Sequence, residues 1–132
     1  MTAQAREVYK CSVCGIVAEV LDGGAGELVC CGRPMVRMAE DAAGATADPS
    51  MHIPVAEPVA GGLRVSVGAE PHPSEPGHHI QWIEAEVGDI VYRKVLRPGE
   101  PAEAPFQPRP APGSPACRAL CNRHGLWKGA TP

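Results

Sequence analysis

An all-β fold is predicted, and three observations predict it. The 132-residue chain carries fifteen glycines and fifteen prolines, which break a chain into short elements and turns rather than long helices. Leu63-Arg64-Val65-Ser66-Val67 alternates apolar and polar, the period of a half-buried strand. Ile80 to Val87 and Ile90 to Leu96 are two β-type runs separated by Gly88-Asp89, which is a hairpin signal.

The elements follow in chain order. Residues 1–39 read as one unit. Val8-Tyr9-Lys10 leads into Cys11-Ser12-Val13-Cys14-Gly15, and Ile16 to Leu21 is a short β-prone run. Asp22-Gly23-Gly24-Ala25-Gly26 makes a turn before Leu28-Val29-Cys30-Cys31-Gly32 and Met35-Val36-Arg37-Met38. Residues 40–50 have no apolar periodicity and read as a linker. Residues 51–132 form a second unit that holds the three runs above. Its stretch 98–115 contains seven prolines and reads as extended, polyproline-like surface chain. There is no internal repeat and no heptad pattern.

Composition narrows the function classes. Hydrophobic content is 44%, with two Trp, two Tyr and one Phe. So small a chain has a modest core, to which bound metal adds stability. Net charge is −3 and the isoelectric point about 5.9, without the basic footprint of a nucleic-acid binder. Met1-Thr2-Ala3-Gln4-Ala5-Arg6 has no apolar signal core, and no apolar run approaches the roughly 18 residues of a membrane span. A cytoplasmic protein is expected, where thiols stay reduced. The six cysteines therefore read as metal ligands before disulfides.

Two ligand sets emerge. Cys11-x2-Cys14-Gly15 is a metal knuckle, in which glycine tolerates the turn that aims amide N–H groups at sulfur. Cys30 and Cys31 add two more thiolates, and a four-sulfur tetrahedron suits zinc or iron. Adjacent cysteines are unusual for a zinc ribbon and should open one S–metal–S angle. The second set is Cys121 and His124, three residues apart, with His52, His72 and His78 upstream. Any one of these histidines is more often a surface or core residue, so the case rests on the set. Together they give one metal four nitrogens and one sulfur. That is one donor more than structural zinc takes and one short of octahedral, which points to redox chemistry at an open iron site.

The chain resembles the desulfoferrodoxin family, the two-iron superoxide reductases. Glu7-Val8-Tyr9-Lys10-Cys11-x2-Cys14-Gly15 and Leu28-Val29-Cys30-Cys31-Gly32-x-Pro34-Met35 are similar to the desulforedoxin-type domain. His52-x-Pro54-Val55, His72-Pro73, His78, Trp82-Ile83-Glu84, Leu96-x-Pro98-Gly99 and Cys121-Asn122-x-His124-Gly125-x-Trp127-Lys128 are similar to the neelaredoxin-type catalytic domain. The resemblance implies a small rubredoxin-like domain at 1–39 holding iron on Cys11, Cys14, Cys30 and Cys31, with zinc as the alternative metal there. It implies an immunoglobulin-like sandwich of about seven strands at 51–132. Its iron would have His52, His72, His78 and His124 as equatorial ligands and Cys121 as the axial thiolate. The implied reaction is one-electron reduction of superoxide to hydrogen peroxide, fed by a rubredoxin-like or other electron donor. A homodimer is expected on the same ground, with no nucleic-acid or membrane partner.

The chain departs from that family at one place. The family usually carries Glu-Lys before the first histidine ligand, where Ser50 and Met51 stand here. Methionine brings no charge to draw in an anion, and serine is a weak ligand, so slower or differently gated superoxide reduction is expected. Arg123 is a candidate for the missing charge. His79, which follows His78, and the spare Cys117 have no assigned family role. These differences keep two alternatives open: a non-heme iron oxidase or oxygenase acting on an organic substrate, and a non-catalytic electron-transfer or redox-sensing protein.

Overall fold

A computed structural model of the chain describes residues 2–41, 51–68, 72–109 and 114–129. Among them are thirteen strands and no α-helix, so the all-β expectation is met. The chain divides into two compact units, Met1–Ala39 and Glu40–Pro132.

The first unit is built from very short strands: β1 (Val8–Lys10), β2 (Val17–Glu19), β3 (Val29–Cys30), β4 (Arg33–Pro34) and β5 (Val36–Arg37). β1 lies between β2 and β5, and β3 and β4 form a separate hairpin. Tyr9, Cys11 and Met35 are its buried centre, with Ala3, Ala18, Val20, Leu28 and Cys30 against them. The β-prone run at 16–21 yields only a three-residue strand, and Leu21 stays 82% exposed. Strands this short bury too little apolar surface to hold themselves, which leaves a role for metal.

The second unit contains β6 (Glu40–Asp41), β7 (Pro54–Val59), β8 (Gly62–Val67), β9 (Ile80–Val87), β10 (Ile90–Val95), β11 (Glu103–Phe106), β12 (Ala116–Cys121) and β13 (Gly125–Lys128). One sheet runs β10-β9-β12-β13-β6 and the other β11-β8-β7. β7 to β13 are the seven strands of the expected sandwich. Its core joins Leu63, Val65, Val67 and Ala104 from the smaller sheet to Ile80, Ile83, Ala85, Cys117, Ala119 and Cys121 from the larger. The alternation at 63–67 thus marks the inward face of β8. The 80–96 hairpin also forms, with Val87 opposite Ile90 and Gly88 at φ 63° in the turn.

Two readings need correction. Glu40-Asp41, placed in the linker, pair in parallel with β13, while residues 42–50 lie outside those described. The proline-rich stretch, read as polyproline-like surface chain, instead contributes a strand: β11 pairs antiparallel with β8. β11 is an edge strand, the place in a sheet where a residue without an N–H, such as Pro105, costs no ladder bond. The ends of the two strands come so close that a Cβ on Gly62 would lie 2.2 Å from the Phe106 carbonyl oxygen, so only glycine fits there.

One irregularity matters for the site. β12 pairs with β9 as Ala119↔Ile83 and Leu120↔Trp82, but Cys121 pairs with Ile80. Gln81 is the extra residue of a β-bulge, a device that re-aims the chain beyond it.

Candidate metal centres

The first centre stands on two tight turns. The Cys11 sulfur accepts the N–H groups of Val13 and Cys14, each at 3.4 Å, and Gly15 N–H donates to the Cys11 carbonyl at 3.1 Å. These N–H groups hold the Cys11 thiol down to about 6, favouring the thiolate that binds metal. Adjacent strand residues normally point to opposite faces. Cys31 escapes that rule because it sits in the β3–β4 turn at φ 54°, followed by Gly32 at φ 72°. Two such residues make the tight hairpin turn that twists with its strands. Both cysteines therefore reach one point: the ligand atoms of Cys11, Cys14, Cys30 and Cys31 lie within 4.8 Å of one another.

The spacing fits a metal. A tetrahedron with metal–sulfur arms of about 2.3 Å has edges of about 3.8 Å. Cys14 and Cys30 sulfurs are 3.6 Å apart, and Cys30 and Cys31 sulfurs 3.9 Å. All six cysteines are free thiols.

The second centre gathers residues from four places. His52 precedes β7, and His72 and His78 lie in the β8–β9 connection. Cys121 ends β12, and His124 stands in the turn of Asn122, Arg123 and His124 before β13. Gly125, paired with Cys121, closes that turn at φ 86°. The four imidazoles form a closed ring. His52 and His72 have centroids 4.8 Å apart, His72 and His78 4.7 Å, His78 and His124 5.0 Å, and His124 and His52 4.8 Å. Each plane stands 70° to 81° from its neighbours.

Donor atoms face the centre of this ring. His52 Nε2 and His124 Nδ1 are 3.1 Å apart, close to the roughly 3.0 Å between nitrogens set at right angles on arms of about 2.1 Å. The Cys121 sulfur lies 3.4 Å from His72 Nε2 and 3.8 Å from His124 Nδ1. His72 Nδ1 meets the Pro73 carbonyl at 2.8 Å. A carbonyl only accepts, so that nitrogen carries the proton and Nε2 keeps its lone pair. His78 Nε2 is buried without a hydrogen-bond partner, which leaves it free to serve as a metal ligand; His79 Nδ1 is likewise without one.

The electrostatics agree. Burial pushes His72 down to about 4 and also lowers His78 and His124, which keeps these imidazoles neutral. Burial raises the Cys121 thiol, while the backbone N–H groups of Arg123 and His124 pull it the other way. Eight of the nine sequence-derived ligand candidates thus fall into two groups whose ligand atoms lie within 4.8 Å of one another, the four thiols and His52, His72, His78 and Cys121, and His124 adjoins the second group through its contacts with His52 and Cys121.

The remaining candidates stay outside both clusters. His79 joins neither. Cys117 is buried in the sandwich core, and burial pushes its thiol up to about 11. Arg123 is exposed, and its charge is felt by His78 and His124. Met51 is half-buried immediately before His52, and Ser50 lies outside the described residues. Three supporting side chains were not assigned roles from sequence. Trp127 stacks on His52 and donates its Nε1–H to the His124 carbonyl at 3.0 Å. Ser74 Oγ donates to the Glu100 carbonyl at 2.6 Å and accepts from Gly99 N–H at 2.8 Å, tying down the His72–His78 loop. Asn122 bridges that loop to the end of β12. Asn122 and Trp127 stand inside the C-terminal motif, and that is the only signal that could have found them.

Comparison with known proteins agrees with these two centres. Residues 3–38 match the family model described as desulfoferrodoxin, N-terminal domain, and residues 44–130 match the model described as desulfoferrodoxin. A desulfoferrodoxin homolog of Methanothermobacter thermautotrophicus is 47% identical, over 94% of this chain and 98% of that one. A protein named superoxide reductase from Pyrococcus horikoshii is 35% identical, over 58% of this chain and 82% of that one. The superoxide reductase structure from Treponema pallidum superposes with a TM-score of 0.73, covering 94% of this chain and 96% of that one. At 22% identity, that likeness speaks for the fold.

Proposed function

The chain belongs to the desulfoferrodoxin family, and from that membership we propose that it is a superoxide reductase. The reaction is the transfer of one electron to superoxide, which with two protons gives hydrogen peroxide. The observation that carries the reading is the five-donor shell of His52, His72, His78, His124 and Cys121. Its neutral imidazoles add no charge, so the single thiolate sets the anionic character of the site. Iron held by these residues would supply the electron, and an anionic sulfur ligand would favour its release.

The chain's own residues prepare that site. Pro73 fixes the tautomer of His72. The Arg123 and His124 N–H groups draw charge from the Cys121 sulfur and so moderate its donor strength. Trp127 stacks on the His52 ring and holds the backbone of His124. The four thiols of the first centre would hold a second iron as an accessory electron site, with zinc as the alternative. A rubredoxin-like donor and a homodimer complete the proposal on the family resemblance.

The test is superoxide consumption by the iron-loaded protein, followed by pulse radiolysis. Peroxide formed without evolved oxygen supports the reductase. Inertness to superoxide, with turnover only beside an organic substrate, would replace it with an oxidase or oxygenase. Iron that cycles while consuming neither would leave an electron carrier.

A further inference from the structure

The His78 loop is held by a side chain more than forty residues away. Asn122 Oδ1 accepts the N–H of His79 at 2.9 Å. Its Nδ2 donates to the carbonyl of Gly77 at 3.2 Å. Its own backbone N–H donates to the His79 carbonyl at 3.2 Å. These bonds fall on both sides of His78, and Asn122 itself sits directly after Cys121 and two residues before His124.

We propose that Asn122 is the positioning residue that sets His78 against Cys121 and His124 in the second metal centre. The inference rests on the metal-centre reading above. The loop around His78 is internally closed, with Glu75 N–H on the His78 carbonyl at 2.9 Å and His78 N–H on the Glu75 carbonyl at 3.1 Å. A turn closed on itself moves as one piece, so its position depends on what ties it to the sandwich. Ser74 ties its His72 end to the Gly99–Glu100 turn, and Asn122 supplies the tie at the His78 end. The buried His78 Nε2 has no hydrogen-bond partner, so no bond at that atom orients the ring.

The geometry is selective for an amide. A carbonyl on one side needs a donor and an N–H on the other needs an acceptor, and asparagine offers both on a short side chain. Aspartate keeps the acceptor but turns a charged oxygen towards the Gly77 carbonyl. The bulge at Gln81 contributes as well. It advances the register by one residue beyond Leu120, which brings His79 opposite Asn122. Partners that orient metal ligands in this way typically change metal affinity ten- to a hundredfold when removed.

The experiment uses the full chain loaded with cobalt(II), and separately with iron, as Asn122→Leu and Asn122→Asp beside the parent. The readouts are chelator competition at the second centre and its thiolate charge-transfer band and EPR rhombicity. The cobalt bands of the four-cysteine centre serve as an internal control, with the melting of metal-free protein alongside. Asn122→Leu should weaken the second centre about tenfold or more and shift its spectrum, with the first centre unchanged. Asn122→Asp should fall between that variant and the parent. An Asn122→Leu protein with parental affinity and spectrum overturns the proposal. So does a loss shared equally by both centres and the metal-free melt, since the role is then in folding alone. If Asn122→Leu does not fold, a parental spectrum in Asn122→Asp overturns it and a shifted one supports it. A parent chain that takes up no second metal overturns the metal-centre reading and the clamp with it.

Discussion

The indole of Trp127 lies flat against the imidazole of His52, with centroids 4.8 Å apart and planes 18° from parallel. The same indole donates its Nε1–H to the His124 carbonyl at 3.0 Å. One fully buried side chain therefore touches one ligand candidate and holds the backbone of another. Trp127→Ala should cost about 3–5 kcal/mol, the usual range for a buried aromatic truncation, and should loosen metal at the second centre. Trp127→Phe keeps an aromatic face and loses one hydrogen bond, at about 1 kcal/mol. Urea unfolding of the metal-loaded protein ranks the two. Equal losses would show that the stack contributes nothing.

Glu84 is fully buried on β9, and Arg118 of β12 grips it through Nε at 2.8 Å and a terminal nitrogen at 2.7 Å. Arg93 reaches the other carboxylate oxygen at 3.1 Å, and Arg118 also reaches Glu40 at 3.0 Å. The network thus ties β6 and β10 to the centre of the sheet. Arg118→Met removes the closest partner of a buried charge and should destabilise by about 3 kcal/mol. The double variant Glu84→Met with Arg118→Met removes both charges and should lose less than the single one. A double-mutant cycle in urea checks this. Additive losses would mean that the pair is not coupled.

The sequence made the ligand candidates legible because cysteine and histidine at motif spacing have few other uses. His52, the His72–His78 loop and the Cys121–His124 turn are far apart in the chain, yet their residue types marked them. Their supports were not legible in the same way. Asn122 bonds to a residue 43 positions away, and nothing local distinguishes that asparagine from a turn former. The bulge at Gln81 depends on the register of the partner strand, which β9 alone does not encode. Period-two alternation gives the face on which Glu84 lies but not whether that face is covered, so a buried ion pair reads as two solvated charges. β11 was hidden because its prolines outweigh four residues of edge pairing. The hairpin at Gly88-Asp89 and the inward face of β8 were legible because their signals are local.

Cys117 should be chemically silent in the folded protein. Its thiol is buried, and desolvation pushes it up from 9.0 to about 11. A raised thiol pKa means less thiolate at a given pH, so at pH 8 the reactive form falls about a hundredfold, before any steric protection is counted. Iodoacetamide followed by peptide mapping should find Cys117 unlabelled in native, metal-loaded protein and labelled after unfolding in guanidinium. Native labelling at the rate of an exposed thiol would make this residue a candidate for the redox-sensing alternative.

Met51 is the place where charge can be returned. It is half-buried and directly precedes His52, and the family resemblance puts a lysine there. An anionic substrate is steered by local positive potential, and that steering weakens with salt as screening reaches about 10 Å at 0.1 M. Arg123 is the exposed cation whose charge reaches His78 and His124, so some steering remains in the parent. Met51→Lys should therefore raise the second-order rate constant with superoxide several-fold at low salt, and the gain should shrink as salt is added. Pulse radiolysis across a range of ionic strength measures both. A rate unchanged by Met51→Lys at every salt concentration would show that the missing lysine does not limit capture in this chain, and that Arg123 or the shell itself already suffices.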